Sequence, residues 1–203
     1  MYPDLIERPI NERFDHLLQV MRSPRFLTMT GQIKEVPFFI CPFHPQEANE
    51  FNTVAKQLEN KLALENIRVL TINLYDLCIE LIKQDDNWDM VLEFEQENPK
   101  EEMLELLKGM LDSKEFIVPA IATKLNEQPS DILFLTGVGE VYPYLRSHTL
   151  LNNLQSTVKN QPMVIFYPGK YVETSEGSTA LYLFESMRGS PYYRAFNILK
   201  YQI

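Results

Sequence analysis

Three histidines, at positions 16, 44 and 148, mark the few places where side-chain chemistry could sit in this chain. His148 follows Arg146 closely and has Glu140 upstream, a set that could give a weak hydrolase a general base and its orienting carboxylate. No nucleophile of the GxSxG kind accompanies it, so a hydrogen bond fixing a helix to the preceding loop is the other reading of His148. Zinc needs grouped ligands such as CxxC or HExxH, and none occurs. Cys41 and Cys78 each lie inside an apolar run, as small buried hydrophobes do in a reducing compartment. Gly137-Val138-Gly139 is a bare GxG, because Tyr142 stands where a dinucleotide fingerprint needs its third glycine. A sharp turn is the expected role for that pair. The junction Cys41-Pro42-Phe43-His44-Pro45-Gln46-Glu47-Ala48 has no glycine and no lysine, and its prolines lack the N–H groups that a phosphate cradle requires.

The elements that would carry these residues can be read from periodicity. Ile10, Phe14, Leu17, Leu18 and Met21 share one stripe, which predicts a helix over 10–21 stopped by Ser23-Pro24. Residues 36–43 form a nearly continuous apolar run, as in a strand covered on both faces. A helix starting near Pro45 follows, with Ala48, Phe51, Ala55, Leu58 and Leu62 on its buried side. Further strands are expected at 67–75, 131–136, 163–167 and 181–184, the fourth ended by a Pro168-Gly169 turn. Helices are expected at 76–83 and 145–158, and an acidic helical stretch between them should include 116–125 with a bend at Pro119. Strands alternating with amphipathic helices predict one α/β domain over 1–203. Its mostly parallel sheet of about five strands should have helices on both faces and an acidic helical insertion at 80–130.

Composition narrows the class. With 203 residues, 45% hydrophobic and 23% charged, the chain is globular and can bury a core without metal or disulfide. No signal peptide and no apolar run near 18 residues is visible, so a cytoplasmic protein with no membrane span is expected. Charge is unevenly spread: residues 80–130 hold 13 acids and 5 bases, a balance of −8 within a total of −9. Such a surface repels phosphate backbones, so direct nucleic-acid binding should be weak or absent. The acidic helices are either a solvated face or a docking site.

One ordered series is more distinctive than any of these fragments. It runs LTGVGEVYPYLRSHTLLNNLQ from Leu135, then MVIFYPGKY from Met163, LYLF from Leu181 and SPYYRAFNI from Ser190. With Arg25-Phe26-Leu27 and the VPFFI run at 36–40, this series resembles the BrxB family of bacteriophage-exclusion (BREX) defence systems over nearly the whole chain. The resemblance implies a non-enzymatic accessory protein that associates with a PglZ-like protein of the alkaline-phosphatase superfamily. It also implies a system with a DNA methyltransferase and a large ATPase, and no cofactor. A degenerate P-loop-like protein that binds nucleotide without hydrolysis is the alternative. Gly137, Gly139, Glu140, Pro143, Arg146, His148, Asn152, Tyr167, Pro168, Gly169, Tyr171, Tyr192, Tyr193 and Arg194 are family-typical with no assigned role. They either close an internal polar network, with Glu140 or Asp131 holding Arg146, or present tyrosine and arginine anchors to a partner.

Overall fold

The computed structural model describes residues 5–30, 37–84, 87–173, 179–188 and 195–202. In chain order the helices are α1 (Ile10–Met21), α2 (Pro24–Leu27), α3 (Ala48–Leu64), α4 (Leu74–Gln84), α5 (Trp88–Glu97), α6 (Lys100–Met110), α7 (Val118–Glu127) and α8 (Ser147–Leu154). The strands are β1 (Phe38–Phe43), β2 (Val69–Asn73), β3 (Ile132–Thr136), β4 (Met163–Glu173), β5 (Thr179–Leu183), β6 (Met187–Arg188) and β7 (Ala195–Asn197). Five of them lie side by side in the order β2-β3-β4-β1-β7, every neighbour parallel. The expected α/β class with a mostly parallel sheet and helices on both faces is therefore what the chain adopts.

Alternation along the strands separates the two faces. Phe39, Cys41, Phe134, Val164 and Phe166 pack with α1 and α3, while Phe38, Ile40, Leu133, Leu135 and Ile165 pack with α4, α7 and α8. Crossover handedness explains the division. The chain steps from β2 to β3 to β4 in one direction but from β1 to β2 in the other, and right-handed connections then need opposite faces. The acidic stretch is the crossover between β2 and β3, laid against the second face. Ser23 explains the end of α1, since its hydroxyl accepts from the Phe26 N–H and opens α2.

Three expectations need correction. The Pro168-Gly169 pair does not end a strand: β4 runs on to Glu173, pairing with β1 up to Pro168 and with β5 from Gly169. The strand expected at 181–184 is this antiparallel β5, and the fifth parallel strand is instead the short β7, whose three residues borrow their regularity from Phe38–Ile40. The helix expected over 116–125 does continue through Pro119, since a π-helical turn at Ser113–Ile117 runs without a break into α7. The helix expected at 145–158 covers only Ser147–Leu154. Val36 lies outside the described residues.

Past Pro168, β4 curls back over the sheet. Phe38 lies beside both Met163 and Ala195, yet the Tyr171 hydroxyl donates to the Ala195 carbonyl at 2.8 Å. A straight strand from Met163 to Tyr171 would span roughly 26 Å, far beyond a phenol's reach. This curl carries the β5–β6 hairpin to the carboxyl ends of the parallel strands.

Candidate functional site

Ligands of open α/β sheets bind beyond the carboxyl ends of the strands, where the connections diverge to opposite faces. Here that place is the end of β1. His44 follows β1 and precedes a 3-10 turn, Pro45–Glu47. The Glu47 carboxylate folds back and accepts from the His44 N–H at 3.2 Å, a capping box that consumes the backbone donor a phosphate would have used. From the other side Arg13 of α1, only 2% exposed, grips the same carboxylate with both guanidinium ends, one at 2.9 Å, while lying over the Phe51 ring. Burial pushes the Glu47 carboxyl up, but the Arg13 bonds and charge together with the His44 N–H outweigh it and hold the group below the usual carboxylate range.

The hairpin completes the closure. Glu185, in its turn, accepts from His44 Nδ1 at 2.7 Å, and Lys170 approaches the same carboxylate at 3.7 Å. The His44 bond, with the Lys170 charge, keeps Glu185 low against the opposing effect of burial. Glu7 stands 3.6 Å from His44 Nε2. Phe184 and Glu185 both have positive φ, 50° and 63°, a conformation that side-chain-bearing residues adopt only when their surroundings hold them. Here the Phe184 N–H donates to the Pro168 carbonyl at 2.8 Å, and its ring meets Tyr142 edge-on at 6.4 Å. A Cβ on Gly139 would come within 3.0 Å of Phe184 and 2.9 Å of Pro168, so glycine is what lets the hairpin seat. A Cβ on Gly169 would overlap the Tyr182 carbonyl oxygen for the same reason.

Gly137, at φ 75°, turns β3 against Asn73, whose side chain caps α4 through the Tyr75 and Asp76 N–H groups. Beneath this turn an apolar void of about 10 Å³ remains between Val138, Leu135, Ile165 and α8, room for one water at most. An open polar groove of about 400 Å³ does run beside the edge strand β2, where Lys56, Asp76 and the Glu80–Lys124 pair face it.

The family-typical residues divide accordingly. Gly139, Pro168 and Gly169 converge on the hairpin seat, while Gly137 packs against Asn73 at the start of α4. Tyr167 is fully buried, its hydroxyl bonded to Ser147 and its pKa pushed up to about 12 by burial. Tyr171 is tied to β7, and burial likewise pushes its phenol up to about 12. Glu140, Pro143, Arg146 and Asn152 are exposed, and Asn152 accepts from Gln155 at 3.4 Å. His148 is half-buried in the first turn of α8, where burial and then the Arg146 charge lower its pKa. Among the described residues no hydrogen bond or ion pair joins it to Glu140 or to a nucleophile. Asp131 does not hold Arg146: it pairs with Arg68 at 2.9 Å. The arginine buried in a polar network is Arg13. Its signal was present in the sequence, a charge at helical spacing between Ile10 and Leu17 on the apolar stripe, and His44-x-x-Glu47 has the spacing of a capping box. Tyr192, Tyr193 and Arg194 lie outside the described residues.

Among those residues no His, Cys, Asp and Glu side chains are grouped to hold a metal ion, and no helix is long and apolar enough to cross a membrane. Residues 70–198 match the family described as BREX protein BrxB. The chain is similar to a BREX protein BrxB of Bacillus cereus (strain H3081.97), 30% identical over 95% of this chain and 98% of the relative. It is also similar to a BREX protein BrxB of Escherichia coli O9:H4 (strain HS), 25% identical over 96% and 94%. No solved structure matches it.

Proposed function

Because the chain belongs to the BrxB family of BREX proteins, we propose that it is a non-enzymatic adaptor of that defence system, binding the PglZ-like protein and helping to bring it to the DNA methyltransferase. The observation that carries this reading is the filled crevice at the end of β1. Where an α/β enzyme or nucleotide-binding protein would admit its ligand, Glu47 occupies the first backbone donor and the Phe184–Glu185 turn covers the strand ends. With the end of β1 closed in this way, the groove beside β2 and the outer surface are what remain for a partner. The alternative, nucleotide binding without hydrolysis, would require this pair and hairpin to be displaced together.

Affinity purification from cells carrying the whole defence cluster tests the proposal. The PglZ-like protein should come down with the tagged chain at near-stoichiometric ratio. Recovery of the chain alone, or a micromolar dissociation constant for ATP with magnesium in calorimetry, would overturn it.

A further inference from the structure

The most acidic helices, α5 and α6, bury few of their side chains. In α5 only Val91 is buried, and in α6 no residue is. The inward side of α6, at Met103, Leu106, Leu107 and Met110, packs against the core of the second face without being covered fully. Met90 and Leu92, to either side of Val91 on α5, are 42% and 38% exposed, and Leu104 of α6 is half-exposed. Around them α5 and α6 carry seven carboxylates, from Asp89 to Glu105, against Lys100 and Lys108. Among the described residues only Glu105 of the seven has an ion-pair partner, Lys108 at 2.7 Å. An acidic outer face without neutralising partners, margined by half-exposed apolar side chains, is a surface with a definite complement.

We propose that the outer face of α5 and α6 is the docking surface for a lysine- and arginine-rich protein surface bordered by apolar side chains, carried by another component of the same defence system. This rests on the adaptor reading above and names where the adaptor binds and what chemistry it meets. Charge selects the occupant. Nucleic acid and anionic lipid present the same sign and are repelled. A second copy of this chain, packed about a two-fold axis, would set the same excess of carboxylates against itself. A basic protein surface gains on both counts, pairing the carboxylates while covering Met90, Leu92 and Leu104.

The test uses the full chain co-expressed with the complete defence cluster. In the purified wild-type complex, a zero-length carbodiimide crosslinker should join carboxylates of residues 89–105 to lysines of the captured component, and raising sodium chloride from 50 to 500 mM should weaken the complex at least tenfold. The variant Glu97→Lys/Glu101→Lys/Glu102→Lys should melt as the wild type does and lose the component at least tenfold, and Leu92→Asp should lose it as well. If the wild type captures a component and both folded variants retain it, or the crosslinks map elsewhere, the surface assignment is wrong and the adaptor reading stands. Should the charge-reversed chain fail to fold, the crosslink map decides alone. A wild type that captures nothing removes both readings. A wild-type dimer in sedimentation, dissolved by charge reversal, would make the occupant a second copy and overturn the assignment.

Discussion

The closed strand ends and the α5–α6 pair are built by opposite means. At the strand ends the carboxylates meet fixed partners: Glu47 has Arg13 and the His44 N–H, and Glu185 has His44 and Lys170, while Asn73 caps α4. In α5 and α6 the carboxylates outnumber their partners and the apolar residues are half in water. Internal satisfaction leaves a region nothing further to gain from a partner. Unsatisfied charge and uncovered apolar area leave it a great deal.

Truncation should break the contrast most sharply in the sheet. Phe134 is fully buried and meets Phe166 edge-on at 5.2 Å; Phe134→Ala should cost about 3–5 kcal/mol in denaturant unfolding. Leu104→Ala, on the half-exposed face of α6, should cost about 1 kcal/mol or less. Equal losses at the two sites would mean that α6 is as firmly packed as the sheet.

Next in size is Arg13→Ala, which strands the Glu47 carboxylate and removes the cover from Phe51. Breaking a buried pair costs about 3–5 kcal/mol, and the partial exposure of Glu47 places this one near the lower limit. The same pair makes a pH prediction. The Glu47 carboxyl is depressed in the folded protein, so its contribution is complete above the unfolded value of about 4.3 and is lost as pH falls through the folded one. The wild type should therefore exceed Glu47→Gln in melting temperature at pH 7, and the gap should close on acidification below about pH 4. A gap that widened in acid would contradict the assigned direction.

Gly169→Ala should cost about 1–3 kcal/mol, because the added methyl meets the Tyr182 carbonyl. Its effect should concentrate in amide exchange of β5 and β6. The smallest effect is a gain. Gly109, in the last turn of α6, has nothing within 4 Å of a built Cβ, so Gly109→Ala should raise stability by about 0.5 kcal/mol through helix propensity. Loss instead of gain there would show that a contact covers this end of α6.

How much of this was legible beforehand can be judged residue by residue. The strands at 132–136 and 163–167 were readable because burial on both faces demands unbroken apolar runs. Pro168-Gly169 misled because the same two residues serve turns and close strand approach, and only the neighbouring chain tells which. Proline here ends the β1 pairing, and glycine admits β5. The β7 strand was invisible because three residues carry too little pattern of their own.

The site was less legible than the fold. Arg13 and Glu47 are 34 residues apart, and His44 and Glu185 are 141 apart. By itself the sequence determined the class, the order of elements, the two apolar faces and the acidic excess of the β2–β3 crossover, since all of these follow from local periodicity and composition. Only the tertiary structure decided that β1 sits between β4 and β7, that the curled β4 brings the hairpin onto His44, and that the buried arginine is Arg13 rather than Arg146. Those depend on which distant segments meet. A pairwise contact leaves no periodic trace in a chain, whereas burial, which every third or second residue must obey, does.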